Sequence, residues 1–349
     1  MSRADSYAAR VDGFVAPHAK RARVGQAHPV WDFLFTYYSL RPGQLRCWHP
    51  GYGVALAGDE AIRRYRNRRG YAVGASGVTV SCAYLLSRRE TIAYVARLLR
   101  ATARRPAKLN CFGLHEWAMV YRSGDVRHDR VPLRLGAAGT DTVVEAEIAG
   151  PLRCSHYDAF RFFSADAAPR NAGAPSRATQ HDWEQPGCLH ANMDLYKWSY
   201  KLSPLIESDI VMDAFELAYD ARELDMRASP YDLTALGFQP VRIETPSGRA
   251  EYVRAGRRSS PSGRQLSVRR CWTGVSACSR RPVSTSGSYS ARLRTPLSIT
   301  SVARRGASAK TDWSAIRLGI RTCRRPFCTA STTSSATFSR ETSTTRCIR

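Results

Sequence analysis

The feature that most constrains this chain is an abrupt change of composition after Arg254. Residues 255–349 hold nineteen basic residues against two acidic ones, so this segment carries +17 of the total formal charge of +24. It is rich in Arg, Ser and Thr, and it has neither the apolar period of a helix nor the alternation of a strand. Such a composition cannot offset the entropy lost on ordering. The packed core must therefore come from residues 1–254.

The composition of residues 255–349 also suggests how the segment arose. Functional basic arms mix Lys with Arg and contain little Cys or Trp, whereas this segment has one Lys, five Cys and two Trp. Reading a GC-rich gene one base out of frame turns Ala, Glu and Leu codons into Arg, Pro, Ser and Cys codons, which is the alphabet observed. We interpret residues 255–349 as a disordered tail produced by a frameshift. A genuine disordered basic arm is the alternative.

Residues 1–254 are long enough for a single compact domain with its own core. They carry only +7, which permits binding to a polyanion without requiring it. The N-terminus has no apolar stretch of signal-peptide length, no run approaches a membrane span, and five cysteines without framework spacing remain. We therefore expect a protein of the reducing cytoplasm, with no membrane contact, no cofactor and no protein partner. The five cysteines are Cys47, Cys82, Cys111, Cys154 and Cys188.

Hydrophobic periodicity predicts a mostly α fold with a small β element. The clearest helix follows Arg89, where Ile92, Val95, Leu98 and Leu99 recur at helical spacing with arginines on the opposite face. Further helices are predicted at 110–122, 190–204 and 205–229. The texture changes over 131–163, where short strands are expected, although "GTDTVVEAE" also has the N-cap of a helix turn.

The phrase "LHEW" places ionisable side chains inside an apolar helix. His115 and Glu116 are followed by Trp117 and, one turn on, by Tyr121. Burying such groups costs free energy unless they are paired, and a carboxylate held among aromatic rings has the raised pKa that suits a general acid or base. We take His115 and Glu116 as candidate catalytic residues. An internal ion pair between Glu116 and an arginine is the alternative.

A second polar cluster lies in "HDWEQPGCLHANMDLYKW", where a loop delivers polar groups onto the start of a helix. Asp194 is its candidate catalytic carboxylate, and a local salt bridge to Lys197, three residues away, is the alternative. We expect this segment to lie beside the "LHEW" helix, since mutual pairing keeps both sets of polar groups satisfied. The candidate substrate-binding residues of the two clusters are Trp117, Tyr121, Trp183, His190, Asn192 and Trp198.

Two copies of Cys-x-His could together supply four tetrahedral zinc ligands. They are Cys154 with His156 and Cys188 with His190. Zinc sites usually space their cysteines further apart, and free cysteines are commonly small buried residues. The spacing alone does not decide whether these four residues bind a metal, and we expect none.

The helix predicted from Asp59 has acids in its first turn and a strongly basic body. Its arginines suit the phosphates of DNA, which dominate affinity in any protein–DNA complex. A solvated helix face is the alternative. The candidate DNA-binding residues are Arg63, Arg64, Arg66, Arg68 and Arg69.

Several phrases, taken together, resemble a family of high-GC bacterial proteins labelled 3-methyladenine DNA glycosylase. They include "HPVWDFLFTYYSLRPGQLRCWHPGYGVAL", "CFGLHEWAMVYR", "EQPGCLHANMDLYKW" and "IETPSGRAEYV", and the likeness spans roughly residues 9–254. The resemblance implies a hydrolase of base-excision repair that removes alkylated purines from duplex DNA. Glu116 or Asp194 would then stabilise the oxocarbenium-like sugar, and aromatic rings would hold the flipped, cationic base.

Two other functions remain open from the sequence. One is an enzyme acting on a small molecule, with a pocket formed by the 111–122 helix and the 181–198 segment. The other is a nucleic-acid-binding protein without catalysis. The surroundings of Glu116 and Asp194 distinguish the three, since a DNA glycosylase needs a cleft ringed by arginines and a small-molecule enzyme needs a closed pocket.

Overall fold

Two long antiparallel helices form the centre of the molecule in the computed structural model, which describes residues 2–124, 131–146 and 150–258. They are Leu189–Lys201 and Ser208–Arg227. Tyr196 of the first packs edge-on against Phe215 of the second, with ring centroids 5.1 Å apart. The first helix is buried over most of its length, so the remaining elements cover it on all sides.

The other elements of the described residues are mostly helical as well. In chain order the helices are α1 (Arg3–Arg23), α2 (Phe33–Thr36), α3 (Pro42–Leu45), α4 (Asp59–Tyr65), α5 (Cys82–Ser87), α6 (Arg89–Arg104), α7 (Leu114–Val120), α8 (Gly136–Glu145), α9 (Tyr157–Phe160), α10 (Gln180–Trp183), α11 (Leu189–Lys201), α12 (Ser208–Arg227) and α13 (Pro246–Arg258). Two 3₁₀ turns, Ala168–Arg170 and Thr234–Leu236, complete the helical part.

A three-stranded antiparallel sheet follows α3 and surrounds α4. Its strands are β1 (Ala55–Leu56), β2 (Tyr71–Gly74) and β3 (Gly77–Val80), in the spatial order β1-β3-β2. Gly77 has φ +115, and a Cβ there would lie 2.2 Å from the carbonyl oxygen of Leu56. Only glycine at this position therefore allows the backbone of β3 to lie so close to the end of β1.

The predicted fold class is confirmed, but the location of the sheet is not the predicted one. The strands expected over 131–163 are absent from the described part of that region, where Thr142, Val143 and Val144 belong to α8. Val143 and Val144 are buried on one face of α8, so the helical alternative was the correct one. The helix begins earlier than "GTDTVVEAE", at Gly136, and its N-cap position, Leu135, makes no side-chain capping bond. The β-strands lie earlier in the chain, where short strands and a glycine turn carry little periodicity.

The helix predicted after Arg89 is confirmed as α6, which buries Ile92, Val95, Leu98 and Leu99. At the other end, α13 continues past Arg254 to Arg258, and Ala255 packs against the core. The remainder of the predicted tail, 259–349, lies outside the described residues. Among the residues described, no helix is both long enough and apolar enough to cross a membrane.

We expect Phe215→Ala to lower the free energy of unfolding by about 3–5 kcal/mol. Phe215 is fully buried, and its ring contacts Phe14, Phe35 and Tyr196 at centroid distances of 5.4, 5.5 and 5.1 Å. The measurement is denaturant unfolding followed by circular dichroism. The control is Leu86→Ala, at a side chain that is 54% exposed, where we expect about 0.5 kcal/mol or less. A loss below about 1 kcal/mol at Phe215 would contradict this account of the core.

Candidate functional site

Helix α7, which carries the "LHEW" phrase, is held between two strained backbone positions. All seven of its residues are buried. Phe112 just before it has φ 50 and Arg122 just after it has φ 48, in the left-handed region that side chains rarely adopt. Such strain costs roughly 1–3 kcal/mol per residue and persists only where the surroundings enforce it, often at functional sites. The fold thus fixes the position of α7 closely.

The side chains of α7 meet the N-terminal end of α11 and the C-terminal end of α12. We call this meeting point the His115 centre: His115, Glu116, His190 and Asp225, with Arg222 beside them. One ligand-type atom from each of the first four lies within 4.8 Å of the corresponding atom of the others. The rings of His115 and His190 cross edge-on, with centroids 4.4 Å apart. The predicted adjacency of the two segments is therefore observed.

A single buried arginine pairs with both carboxylates of the centre. The Arg222 Nη1 atom donates to Glu116 Oε1 and to Asp225 Oδ2, each at 3.0 Å. The Arg222 guanidinium also lies over the ring of Phe33, 4.1 Å from its centroid. Since Arg222 is 1% exposed, its charge is neutralised by these carboxylates rather than by water. The alternative interpretation of Glu116, as a partner of a buried arginine, is thus what the structure contains.

The histidines of the centre are in opposite electrostatic situations. Burial disfavours charge on His115, but the Asp225 carboxylate outweighs it and holds the pKa of His115 well above its ordinary value. Burial together with the neighbouring His115 holds the pKa of His190 well below its ordinary value. The pKa of Asp225 is lowered in turn, because His115 and Arg222 outweigh its burial. The His190 ring is therefore neutral at pH 7, with one nitrogen free of a proton.

Three polar atoms of the centre are buried without a hydrogen-bond partner. They are His115 Nε2, His190 Nδ1 and Asp225 Oδ1. His115 Nε2 and Asp225 Oδ1 are only 2.8 Å apart, but they are not aligned as donor and acceptor, so we regard this contact as charge attraction and not as a hydrogen bond. Buried polar atoms without partners are rare and call for a physical explanation.

A second buried network adjoins the first through His156, whose ring stacks on His190 at a centroid distance of 5.4 Å. We call it the His156 network: His156, Glu184, Asp194 and Lys197. His156 Nε2 lies 3.1 Å from Asp194 Oδ2 and 3.4 Å from Glu184 Oε1. Asp194 also bonds the Lys197 ammonium, as the local salt-bridge alternative predicts. Its Oδ1 accepts from the Tyr38 hydroxyl at 3.3 Å.

The hydrogen bonds of the His156 network are internally complete. His156 Nδ1 accepts the backbone N–H of Ala159 at 3.3 Å, so the proton of the neutral ring sits on Nε2, which donates to Asp194. His156 and Lys197 outweigh burial and lower the pKa of Asp194, whereas burial raises the pKa of Glu184. Glu184 accepts a further hydrogen bond from the Gln180 amide. We interpret this network as a support that fixes α9, α10 and α11 together.

The aromatic residues expected to hold a base are mostly part of the core. Trp117 is fully buried, and its indole N–H donates to the carbonyl of Ala228 at 2.9 Å. Tyr121 is 1% exposed and donates to Glu145 at 3.1 Å. Neither ring has a free face for stacking, because both are enclosed by protein. Both rings are therefore core side chains in the conformation described, and their contact with a flipped base stays a prediction.

The remaining predicted substrate-binding residues serve local packing. Trp183 is half-buried and its ring lies on Gly173, where a Cβ would come within 2.1 Å of it. Trp198 is buried between Lys197 and Lys201, whose ammonium groups lie 4.9 and 5.3 Å from its centroid. Asn192 donates to the carbonyl of Pro186 at 3.0 Å and so fixes the start of α11. These three residues therefore pack against their local surroundings and are not members of the His115 centre.

The cysteines of the two Cys-x-His pairs do not join the histidines as ligands. Among the residues described, the two groups with ligand spacing contain His156 and His190 but no cysteine. Cys154 Sγ instead faces the carbonyl of His156 at 3.5 Å, and Cys188 is the N-cap of α11. The four-ligand zinc set considered from the sequence is therefore not formed.

The five predicted DNA-binding arginines are all exposed, and none forms an ion pair with a carboxylate among the described residues. Arg64 and Arg68 both lie near the Tyr65 ring, each with Cζ 5.8 Å from its centroid. Arg63 and Arg66 point to solvent from α4 and the turn after it. Arg68 and Arg69 line a cavity, described next.

A cavity of about 430 Å³ opens between α3, α5 and the α11–α12 connection. We call it the basic cavity, because its lining includes Arg68, Arg69, Arg88 and Lys201 and no aspartate or glutamate. Burial and the nearby cations Lys197, Arg177 and Arg88 lower the pKa of Lys201. Burial and Arg68 lower the pKa of His49, also in the lining, to about 4. Tyr7, Tyr84 and Tyr200 complete its aromatic wall.

Neither Glu116 nor Asp194 lines the basic cavity. Helix α11 connects the two regions, with His190 at one end and Lys201 at the other, about 16 Å apart along its axis. The arrangement thus matches neither a cleft with carboxylates ringed by arginines nor a pocket between the 111–122 and 181–198 segments. The cations that line the basic cavity and the buried carboxylates Glu116 and Asp194 therefore occupy separate places.

Arg222 and Asp225 were missed by the sequence analysis, although a pattern could have found them. Val211, Phe215 and Ala218 form the buried stripe of α12, and the same spacing of four and three residues continues at Arg222 and Asp225. Two charged residues in register with an apolar stripe indicate a buried ion pair.

Comparison with known proteins adds no further constraint. The chain matches no protein-family model, no curated protein and no solved structure. The sequence phrases, together with the chemistry of the His115 centre and of the basic cavity, are therefore what indicates a function.

We expect Arg222→Met to lower the free energy of unfolding by about 3–5 kcal/mol, because it leaves two buried carboxylates without their counter-charge. Adding Glu116→Gln to this variant should recover part of the loss, since one of the unpaired charges is then removed. Urea unfolding of the single and double variants measures both effects.

The matched control is Arg227→Met, five residues further along the same helix. Arg227 is half-buried and pairs with Glu251 at 3.3 Å, so we expect a change of about 1 kcal/mol or less. If Arg222→Met costs no more than Arg227→Met, the pairing described for the His115 centre does not hold it together.

Proposed function

We propose that this protein binds duplex DNA through the basic cavity. The observation that carries the proposal is the set of four cationic side chains in one cavity without any acidic residue in its lining. Like charges held this close repel one another, and a phosphate group relieves that repulsion. Arginine also presents several donors at once to phosphate oxygens.

The surroundings of the cavity extend this surface. Arg63, Arg64 and Arg66 are exposed on α4 and the turn after it, next to the cavity residues Arg68 and Arg69. A row of cations beside a cavity suits a backbone that carries a phosphate at every nucleotide. Phosphate contacts of this kind position a protein on DNA without reading its sequence.

For the chemistry, we propose the removal of alkylated purines of the 3-methyladenine type, a hydrolase reaction. Its support is the resemblance of the sequence phrases to the glycosylase family. Glu116, with His115 next to it, or Asp194 would carry the negative charge that stabilises the sugar. In the described conformation Glu116 is paired with Arg222, and Asp194 is paired with Lys197. Base removal at either carboxylate therefore requires its partner to move away. The cytoplasm is the compartment we propose, and the five described cysteines are free thiols.

We expect Arg68→Glu/Arg69→Glu to weaken binding of a fluorescently labelled 20-base-pair duplex by at least about tenfold at moderate salt. The dependence of log K on log salt should also become shallower by about 2, one unit for each lost phosphate contact. Fluorescence anisotropy over a salt series measures both quantities.

The control variant is Arg23→Glu/Arg104→Glu, which changes the net charge equally at two exposed arginines outside the cavity. It should keep most of the affinity and the original salt slope. Equal losses in the two variants would mean that net charge, and not the cavity, governs binding.

Release of free base separates catalysis from binding alone. With methylated duplex DNA, the glycosylase proposal requires free 3-methyladenine to appear in the presence of the wild-type protein, and Asp194→Asn to abolish it. DNA binding without base release would favour the non-catalytic alternative. Absence of binding altogether would leave the small-molecule enzyme as the better account.

A further inference from the structure

We infer that the His115 centre binds a divalent transition-metal ion of the zinc type, with His115, Glu116, His190 and Asp225 as ligands. The inference concerns the buried end of α11 and is independent of the basic cavity, so it does not depend on the proposed DNA binding. Neither the sequence expectations nor the resemblance places a metal here.

The first observation is the set of buried atoms without partners. His115 Nε2, His190 Nδ1 and Asp225 Oδ1 come from three different helices, and none has a hydrogen bond. His115 Nε2 and Asp225 Oδ1 attract each other only as charges, and His190 Nδ1 has no partner, an arrangement that costs free energy in a buried place. An ion bonded to all three supplies the missing partner for each atom at once.

The second observation is their spacing. One atom from each of the four residues lies within 4.8 Å of the others. In a tetrahedral zinc site with bonds of about 2.0–2.1 Å, ligand atoms lie roughly 3.3 Å apart. His115 Nε2 and Asp225 Oδ1 are 2.8 Å apart without the alignment of a hydrogen bond, so they need to separate by only about 0.5 Å to reach that ligand spacing.

The third observation is the outer layer that orients the ligands. Asp225 uses Oδ2 and Glu116 uses Oε1 to accept from Arg222. The other nitrogen of His115, Nδ1, lies 3.6 Å from Cys111 Sγ. Metal ligands are characteristically held by such second contacts, which fix the ring and carboxylate directions.

The charge and donor types of the centre agree with this class of ion. Two carboxylates face one arginine, so the centre has a charge of −1 once His115 gives up its proton to bind, and the divalent cation takes the place of that proton. Two nitrogen and two oxygen donors suit zinc, iron or manganese better than the calcium and magnesium ions that prefer oxygen alone.

The neighbouring His156 network has similar residues but does not fit a metal. Its histidine uses Nδ1 to accept the Ala159 N–H, so the proton resides on Nε2 and no lone pair remains for an ion. Lys197 already supplies the positive charge next to Asp194. This network provides a buried histidine variant as a matched control.

The test is zinc stoichiometry in the full-length protein. The chain is stripped with a chelator, incubated with Zn²⁺, separated from free ion by gel filtration and analysed by inductively coupled plasma mass spectrometry. We expect about one zinc ion per chain in the wild type and in His156→Gln. His115→Gln and His190→Gln should lower zinc affinity by more than the ~10–100-fold caused by loss of an outer contact.

Thermal unfolding keeps the test decisive if a variant fails to fold. The melting temperature of the stripped wild-type chain should rise on addition of Zn²⁺ and stay unchanged on addition of Mg²⁺. A wild-type chain that neither retains zinc nor gains stability from it would overturn the inference. Equal zinc in the wild type and in both the His115 and His190 variants would overturn it too, as would loss of zinc in His156→Gln alone. DNA affinity measured on the same samples shows separately whether the basic cavity works.

Discussion

The buried guanidinium of Arg222 is the interaction on which the rest of this structure depends. It pairs with Glu116 from α7 and with Asp225 from its own helix, at a place where no water reaches the charges. A buried charge without partners costs several kcal/mol, so α7 and α12 are constrained to one relative position. The strained residues on either side of α7 are consistent with that constraint, because strain persists only where the surroundings enforce it.

Helix α11 gives the molecule two chemically different ends. Its first turn carries His190 into a buried centre of imidazoles and carboxylates, and its last turn carries Lys201 to a cavity lined by cations. The first environment suits a metal cation and the second suits phosphate. The antiparallel packing of α11 on α12 separates the two by the length of a helix, so each can be altered without touching the other.

Much of the fold was predictable because it follows from period. The apolar stripe of α6 and the buried helix α7 were predicted directly from spacing. The neighbourhood of His115 and His190 followed from the need to pair buried polar groups. The sheet was misplaced because β2 shows no alternation and β3, which does alternate, has only four residues. Arg222 and Asp225 were missed because their charges conceal a stripe that only Val211, Phe215 and Ala218 reveal. The separation of arginines from carboxylates is a tertiary property that local sequence does not carry.

The central claim is that His115, His190 and Asp225 point at one shared ion and not at one another. Crystals of the zinc-loaded protein, measured on both sides of the zinc absorption edge, test it most directly. The account predicts one strong anomalous peak between these side chains, with ligand distances of about 2.0–2.2 Å. An absence of anomalous density there, with His115 Nε2 turned to donate a linear hydrogen bond to Asp225, would contradict it and leave the centre as an ion-pair network alone.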